Sequence, residues 1–155
     1  MRICVLAVGK LRDGPMKGLY ADYAGRLPWK LQTTEIADRN NDPPKMRVRR
    51  EGEELRRRLP GGPLIALDET GTDLTSEAFA ALLGQWRDNG ADTVSFAIGG
   101  ADGHCPDTLS MADRVLSFGN ATWPHQMVRG MLAEQLYRAS TILNGHPYHR
   151  RGKAG

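Results

Sequence analysis

The segment SFAIGGADG, residues 95–103, decides the fold, because a short run of apolar residues passes directly into a glycine-rich turn. The same order recurs in LIALDETG, residues 64–71, and in VLSFGNATWPHQ, residues 115–126. In open α/β sheets, ligands bind beyond the carboxyl ends of the strands, and glycine there lets a ligand approach the backbone closely. Each of these loops can therefore contact a ligand, although a glycine-rich turn that only reverses the chain is the alternative for each.

Helical patterns separate these apolar segments. Thr75 or Ser76 is the expected cap of a helix whose apolar residues recur at helical spacing, namely Phe79, Leu82, Leu83 and Trp86. The alternation continues along the chain, with strands expected at 3–8, 33–37, 64–67, 93–98 and 115–118, and helices at 16–27, 45–59, 76–89, 106–112 and 124–143. Strands separated by helices indicate an α/β fold, with a mostly parallel sheet flanked by helices.

The length of 155 residues suits a single domain, residues 1–155, that can bury a hydrophobic core without disulfides. Hydrophobic residues make up 40% and charged residues 25%, which excludes a disordered tail and a fibrous repeat. No apolar run approaches the roughly 20 residues of a membrane span, so we expect no membrane partner and a cytoplasmic location. Two cysteines, Cys4 and Cys105, and four scattered histidines do not form a usual ligand pattern, so we expect no metal.

Charge is unevenly distributed along the chain. Residues 1–63 carry a net charge of +6, residues 64–113 carry −8, and residues 114–155 carry +5. The two basic blocks indicate a positive surface that attracts a phosphate backbone. The arginines between residues 47 and 58 have a second interpretation, as solvated helix residues that alternate with glutamates.

Three common enzyme motifs are absent from the sequence. It contains no GxxxxGK[ST] phosphate loop, no GxGxxG dinucleotide fingerprint and no GxSxG elbow. Their absence disfavours ATP hydrolysis, nicotinamide chemistry and serine hydrolysis.

The last helix has an apolar face and a polar face. The residues expected to be buried share one face: Val128, Met131, Leu132, Leu136, Ala139 and Leu143. The other side carries Gln126, Gly130, Glu134, Tyr137 and Thr141, with Arg129 and Arg138 at its margins. Gly130 costs about 1 kcal/mol relative to alanine, which close approach of another backbone, including that of a second subunit, would explain. Gln135 within the apolar stripe also indicates a partner subunit.

Two polar features follow on this helix and after it. Glu134 and Arg138 are four residues apart, a spacing that orients the guanidinium, although an ordinary surface ion pair is the alternative. In the tail GHPYHRR, residues 145–151, Tyr148 can stack on a base, and its neighbours can contact phosphates or base edges: His149, Arg150 and Arg151. A terminus that only aids solubility is the alternative.

Three segments together resemble the ribosomal RNA large subunit methyltransferase H family, which belongs to the SPOUT methyltransferases. They are LDETGTDLTSEAFA, FAIGGADG and LSFGNATWPHQMVRGMLAEQLYRASTILNGHPYHR, and the resemblance extends to the opening ICVLAVGKL. It implies a SPOUT-type α/β fold with a C-terminal trefoil knot, a homodimer and S-adenosylmethionine as the methyl donor. The implied reaction is N3-methylation of a pseudouridine in helix 69 of 23S ribosomal RNA, on the assembled 70S ribosome.

The resemblance also implies site residues. Those expected to hold the cofactor are Leu67, Gly99, Phe118, Gly119, Asn120, Ala121, Thr122 and Trp123. Those expected at the reacting base are Glu134, Arg138, Tyr148, His149 and Arg150.

Each residue at the reacting base has a chemical role to fill, because N3 must lose a proton and meet an activated methyl group. Arg138 or Arg150 can stabilise the deprotonated base, and Glu134 can fix the arginine. His149 is a candidate proton acceptor, whereas His125 has a structural interpretation as a hydrogen-bonding residue beside Pro124. Two other functions remain open at this point: an RNA-binding module without chemistry, and a nucleotide-binding α/β enzyme.

Overall fold

Five parallel strands form the centre of the protein, whose computed structural model describes residues 1–150. Along the chain the strands are β1 (Arg2–Val8), β2 (Lys30–Ile36), β3 (Leu64–Asp73), β4 (Thr93–Ile98) and β5 (Arg114–Ser117). The helices are α1 (Pro15–Arg26), α2 (Pro44–Arg57), α3 (Ser76–Asp88), α4 (Pro106–Met111) and α5 (His125–Asn144). The sheet order is β2-β1-β4-β3-β5, and every neighbouring pair is parallel. The predicted α/β fold is thereby confirmed.

The inner strands β1 and β4 are buried on both faces, and their side chains alternate between two cores. In β1, Ile3, Val5 and Ala7 pack in the larger core, which includes residues of α3 and α5. The intervening residues of β1 pack in a second core with Leu55 of α2. Both cores fix the position of β1 between β2 and β4, so the glycine that follows it lies near the other strand ends.

Strand β3 is longer than predicted. The sequence indicated a strand that ends at Leu67, because Asp68 and Gly71 usually interrupt strands. Instead β3 continues to Asp73, and its register against β5 shifts between Leu67 and Thr72, so that both pair with Leu116. The residues between them leave the ladder, and this excursion places polar groups at the carboxyl edge of the sheet.

The two predicted faces of α5 are confirmed only in part. Leu132, Leu136 and Ala139 are buried as predicted, whereas Val128, Met131 and Leu143 are half-buried. Arg129, predicted at the margin of the polar face, has 1% of its surface exposed, and Thr141 is buried as well. The reason is that α5 packs against both α1 and α3, so more than one of its faces is covered.

Gly130 and Gln135, which the sequence indicated as contacts with a partner subunit, instead contact residues of the same chain. A Cβ on Gly130 would lie 2.8 Å from Leu19 Cδ2, so the glycine admits a side chain of α1 instead of another backbone. The Ser76 hydroxyl donates a hydrogen bond of 2.8 Å to Gln135 Oε1. Gln135 therefore joins α5 to the start of α3, and neither residue carries an argument for a dimer.

None of the helices within residues 1–150 has the length and apolar character needed to cross a membrane. The C-terminal knot that the resemblance implies stays a prediction.

Candidate active site

A cleft of about 470 Å³ lies where β3, β4 and β5 end and α5 begins. Seven of the eight residues predicted to hold the cofactor line it: Leu67, Gly99, Phe118, Gly119, Ala121, Thr122 and Trp123. Asn120 belongs to the same loop but does not line the cleft. The three glycine-containing segments therefore meet around one cavity, as the resemblance implied.

The cleft carries negative charge. Asp68, Glu69 and Asp102 line it, together with the two histidines His104 and His125. Among the described residues that line the cleft there is no lysine or arginine. The acidic groups follow from the long β3 excursion and from the glycine-rich turn after β4, and their charge favours a cationic ligand.

Close backbone packing fixes the turn after β4. A Cβ on Gly99 would lie 2.8 Å from the carbonyl carbon and oxygen of Gly103, so no larger residue fits without moving the turn. Arg47 of α2 donates a hydrogen bond of 2.6 Å to Asp102 Oδ2. The glycine-rich turn is thus fixed by its own backbone packing and by the hydrogen bond from Arg47 of α2.

The loop after β5 is held by three hydrogen bonds. Ser117 Oγ donates to the Gly119 carbonyl at 2.5 Å, and Trp123 Nε1 donates to the Phe118 carbonyl at 3.2 Å. Thr122 Oγ1 donates to Glu69 Oε2 at 2.8 Å, which connects this loop to the β3 excursion. Because Trp123 remains 42% exposed, the loop forms a partly open wall of the cleft.

A second cluster lies farther along α5. Arg138 donates to Glu134 Oε1 through Nε at 2.9 Å and through Nη2 at 2.5 Å. The Tyr148 hydroxyl donates to the same carboxylate oxygen at 3.2 Å, and the Arg138 guanidinium lies 4.9 Å from the Tyr148 ring centroid. The ion pair predicted from the spacing therefore extends into a network that binds the tail to α5.

His149 is bound on both sides in this network. Arg138 Nη1 lies 3.1 Å from His149 Nδ1, and because a guanidinium only donates, Nδ1 accepts. His149 Nε2 lies 3.2 Å from Glu77 Oε1, a distance typical of an ion pair although its angle is not that of a hydrogen bond. Both ring nitrogens therefore face fixed partners.

Tyr148 remains protonated in this environment. Burial, the hydrogen bond with Tyr23 and the charge of Glu134 all raise the pKa of Tyr148. The Tyr23 and Tyr148 hydroxyl oxygens are 3.1 Å apart, and the Tyr137 ring centroid lies 4.7 Å from that of Tyr148. This phenol is consequently a fixed hydrogen-bond donor in the tail.

The structure brings together four of the five residues predicted at the reacting base, but none of the five lines the cleft. Val128, which lines the cleft, and Arg138 are ten residues apart in α5, which corresponds to about 15 Å along the axis. The fifth residue, Arg150, is exposed beside the cluster, and Arg151 lies outside the described residues. The cofactor and base regions of one chain are therefore separate.

The sequence analysis missed the role of Arg129. Its Nη1 donates to Glu35 Oε2 at 2.7 Å, and its Nη2 donates to the Gly9 carbonyl at 2.5 Å. Glu35 also accepts from the Leu11 N–H, and although burial raises the pKa of Glu35, these two donors lower it overall. Arg129 thereby fixes α5 to the ends of β1 and β2.

Known proteins match this chain over nearly its whole length. Residues 1–149 match the family described as "Predicted SPOUT methyltransferase". The chain belongs to the SPOUT methyltransferase family. SPOUT proteins named Ribosomal RNA large subunit methyltransferase H are 49% identical in Rhodospirillum centenum, with 97% of this chain and 99% of the relative covered, and 45% identical in Novosphingobium aromaticivorans, with 98% and 100% covered. The resemblance inferred from the motifs is confirmed, and the chain is an enzyme of the methyltransferase class.

Two solved structures support the fold. A probable methyltransferase from Bordetella pertussis has a TM-score of 0.56 at 15% identity, with 89% of this chain and 93% of that chain covered. A probable methylase family protein from Haemophilus influenzae has a TM-score of 0.57 at 10% identity, with 98% and 72% covered. At these identities the likeness shows the fold alone.

Proposed function

We propose that this SPOUT enzyme transfers the methyl group of S-adenosylmethionine to N3 of a pseudouridine in helix 69 of 23S ribosomal RNA, on the assembled ribosome. The names of its relatives, at 45–49% identity over nearly the whole chain, support ribosomal RNA as the substrate. A cytoplasmic location follows from this proposal, because ribosomes are assembled there.

The observation that carries the choice of cofactor is the charge of the cleft. Asp68 and Glu69 face a space without a lysine or arginine among the described lining residues, and the third carboxylate, Asp102, is paired with Arg47 of α2. A nucleoside phosphate would meet repulsion there, whereas S-adenosylmethionine carries a positive sulfonium and no phosphate. This disfavours the nucleotide-binding enzyme that the sequence alone left open.

The residues present fit S-adenosylmethionine. The backbone around Gly99 and Gly119 offers donors and acceptors without a Cβ in the way, and Leu67, Phe118 and Trp123 supply apolar walls. The rest of the loop after β5 would complete the site: Asn120, Ala121 and Thr122. When bound, this methyl donor supplies an activated methyl group, so the protein needs to position the base and remove its proton. Within residues 1–150, no three His, Cys, Asp or Glu side chains are arranged to hold a metal.

A homodimer resolves the separation between the two regions of one chain. Methyl transfer requires reacting atoms about 3–3.5 Å apart, whereas the cleft and Arg138 are separated by about 15 Å along α5. The network of Glu134, Arg138, Tyr148 and His149 is called the tail cluster here. We propose that the tail cluster of one subunit lies against the cleft of its partner. The composite site then contains the cofactor loops of one chain and Glu134, Arg138, Tyr148, His149 and Arg150 of the other.

The tail cluster can position and stabilise the base. Glu134 holds the Arg138 guanidinium, whose positive charge favours the anion that N3 becomes after it loses a proton. The Tyr148 hydroxyl donates to Glu134 and so holds the tail beside Arg138, and the exposed Arg150 can contact a phosphate. The basic blocks at both ends of the sequence attract the RNA over a longer range.

Two measurements test the proposal. S-adenosylmethionine should raise the melting temperature of the purified protein, whereas ATP and NAD at the same concentration should leave it unchanged, because only a ligand of the native state stabilises it. The purified protein should then methylate ribosomes from cells that lack the gene, and mass spectrometry should place one methyl group on one helix 69 pseudouridine. Stabilisation by ATP alone, or a methyl group elsewhere, would contradict the proposal.

A further inference from the structure

His125 is the first residue of α5 and lines the cofactor cleft. Its Nε2 atom lies 3.7 Å from the position that a Cβ on Gly9 would occupy, and Asp38 Oδ2 lies 3.9 Å from the same point. The imidazole is therefore placed between the cleft and the end of β1, where a second cavity of about 390 Å³ begins at Gly9 and Asp38. This position is inside the cleft of the chain that would hold the cofactor.

The His125 ring makes no hydrogen bond or ion pair with any other residue in the described range 1–150. The residue is half-buried and lines the cleft, so part of its ring is open to a ligand there. The structural interpretation drawn from the sequence, in which His125 acts as a hydrogen-bonding residue, therefore lacks a partner. An imidazole without a protein partner in a ligand cleft is available to the ligand.

The charges around His125 keep it neutral and able to accept a proton. Burial lowers the pKa of His125 below its ordinary value of 6.5, and the cations Arg129 and Arg12 lower it further, while Asp38 acts in the opposite direction. Arg129 is on the same helix, Arg12 follows β1, and Asp38 follows β2. After proton uptake, the imidazolium would have the Asp38 carboxylate nearby.

The other two candidate histidines are occupied. His149 accepts from Arg138 at one nitrogen and faces Glu77 with the other. His104 Nε2 lies 3.2 Å from the Ala97 carbonyl, so it serves as the donor and holds the turn after β4. His125 is the histidine in the described part of the cleft whose ring is not already committed to a protein group.

We propose that His125 is a catalytic residue that accepts the N3 proton of the target base. The inference rests on the proposed function, because it assumes a base brought to the cleft by the partner subunit. The N3–H bond breaks, its electron pair stays on N3, and the proton moves to a ring nitrogen of His125. The N3 pair then bonds to the methyl carbon of the methyl donor, and the carbon–sulfur pair remains on sulfur, so the products are the N3-methyl base, the neutral thioether and imidazolium.

The first test compares chemistry with binding in H125Q. Single-turnover methyl transfer to ribosomes should fall by about 10²–10⁴-fold, the usual contribution of a general base. The affinity for S-adenosylmethionine, measured by calorimetry, should stay within about twofold, because the amide retains polarity and approximate size. In H125A, added imidazole should restore part of the rate, a result that a purely structural role would not give.

The second test uses two variants that leave the imidazole in place and change only the charge around it. The wild-type rate should fall with decreasing pH as His125 becomes protonated. R12Q removes a cation and should move this acid limb to higher pH, whereas D38N removes an anion and should move it to lower pH. NMR titration of the His125 ring in the free protein should show shifts in the same two directions.

The outcomes separate this inference from the proposed function. If the wild-type protein neither binds S-adenosylmethionine nor methylates ribosomes, the proposed function is overturned and the inference with it. If the wild-type protein does both, and H125Q transfers methyl within threefold of its rate, only the role of His125 is overturned. If H125Q does not fold, acid limbs that fail to move in opposite directions in R12Q and D38N overturn it instead.

Discussion

The cofactor cleft and the tail cluster occupy the same helix but are built in different ways. At the start of α5, backbone turns surround a cleft whose charged lining groups are carboxylates, and Gly99 and Gly103 approach too closely for a larger residue. Two to three turns later, Glu134, Arg138 and Tyr148 form a network of side chains that includes a guanidinium. One region suits a cationic small molecule and the other suits an anionic base.

The two regions are separated in one chain, and they should respond differently to substitutions. A cleft made of backbone tolerates side-chain changes but not added volume, whereas a side-chain network tolerates neither lost charge nor lost contacts. Because Val128 and Arg138 are about 15 Å apart along α5, one copy of the chain has both halves of a site without joining them. Changes in the two regions should therefore have separable effects on cofactor binding and on methyl transfer.

Removal of the tail should give the largest effect. Truncation after Gly145 deletes Tyr148, His149 and Arg150, none of which lines the cleft. Methyl transfer to ribosomes should fall by at least about 10²-fold, because the base is no longer positioned. The affinity for S-adenosylmethionine by calorimetry should change by less than about twofold. A truncated enzyme with the normal transfer rate would show that the tail only aids solubility.

Gly99→Val should have the opposite profile and abolish cofactor binding. A branched side chain would overlap the Gly103 carbonyl, so the turn after β4 must move out of its position at the cleft. Calorimetry should detect no S-adenosylmethionine binding in a variant whose circular dichroism is native. Affinity within threefold of wild type, in a folded variant, is incompatible with this account of the cleft.

The alternation of apolar segments was sufficient to predict the sheet, because strands and helices depend on neighbours in sequence, whereas the residues of the cleft were predicted from the resemblance. Strand β4 was predicted at the observed residues, and Thr75 caps α3 as one of the two expected residues. The burial of Arg129 could not be predicted, since its partner Glu35 is 94 residues away and a charged residue at a helix margin usually faces solvent. The acidic residues Asp68 and Glu69 lay in a predicted loop, but their position depends on the register shift in β3.

Arg129 fixes α5, the helix that both regions share, to the ends of β1 and β2, so its loss should affect the whole fold. Arg129→Ala leaves the Gly9 carbonyl without its donor and Glu35 without its cation, and should lower the free energy of unfolding by about 1–3 kcal/mol. Arg114→Ala, an exposed arginine in β5, should change it by less than about 0.5 kcal/mol. Urea denaturation at pH 7 compares the two, and equal stabilities would contradict the structural role.

The same ion pair makes a prediction for pH dependence. Because the pKa of Glu35 is lower in the folded protein than its ordinary value of 4.5, its contribution to stability is present above that value. The contribution is lost as the pH falls through the lower pKa of the folded state. Wild-type stability should therefore decline more steeply than that of Arg129→Ala below about pH 4.5. Parallel declines in urea denaturation would show that the pair is not coupled to folding.

The smallest expected effect concerns discrimination between the methyl donor and its neutral thioether product. Asp68→Asn removes one negative charge from the cleft and should lower the preference for the sulfonium compound by about two- to fivefold. Asp107→Asn, an exposed change on α4 outside the cleft, is the matched control and should leave the ratio unchanged. Calorimetry with both compounds gives the ratio, and identical ratios in the two variants would remove Asp68 from cofactor selection.

A mixed dimer tests most directly whether the two regions of different subunits form one site. One chain carries Gly99→Val with an intact tail, and the other carries an intact cleft but ends after Gly145; each variant alone should be inactive. Co-refolding of equal amounts should restore about one quarter of the wild-type methyl transfer rate, because half of the dimers are mixed and each has one complete site. Mixed dimers, isolated by two affinity tags, that remain as inactive as either parent would contradict the composite site.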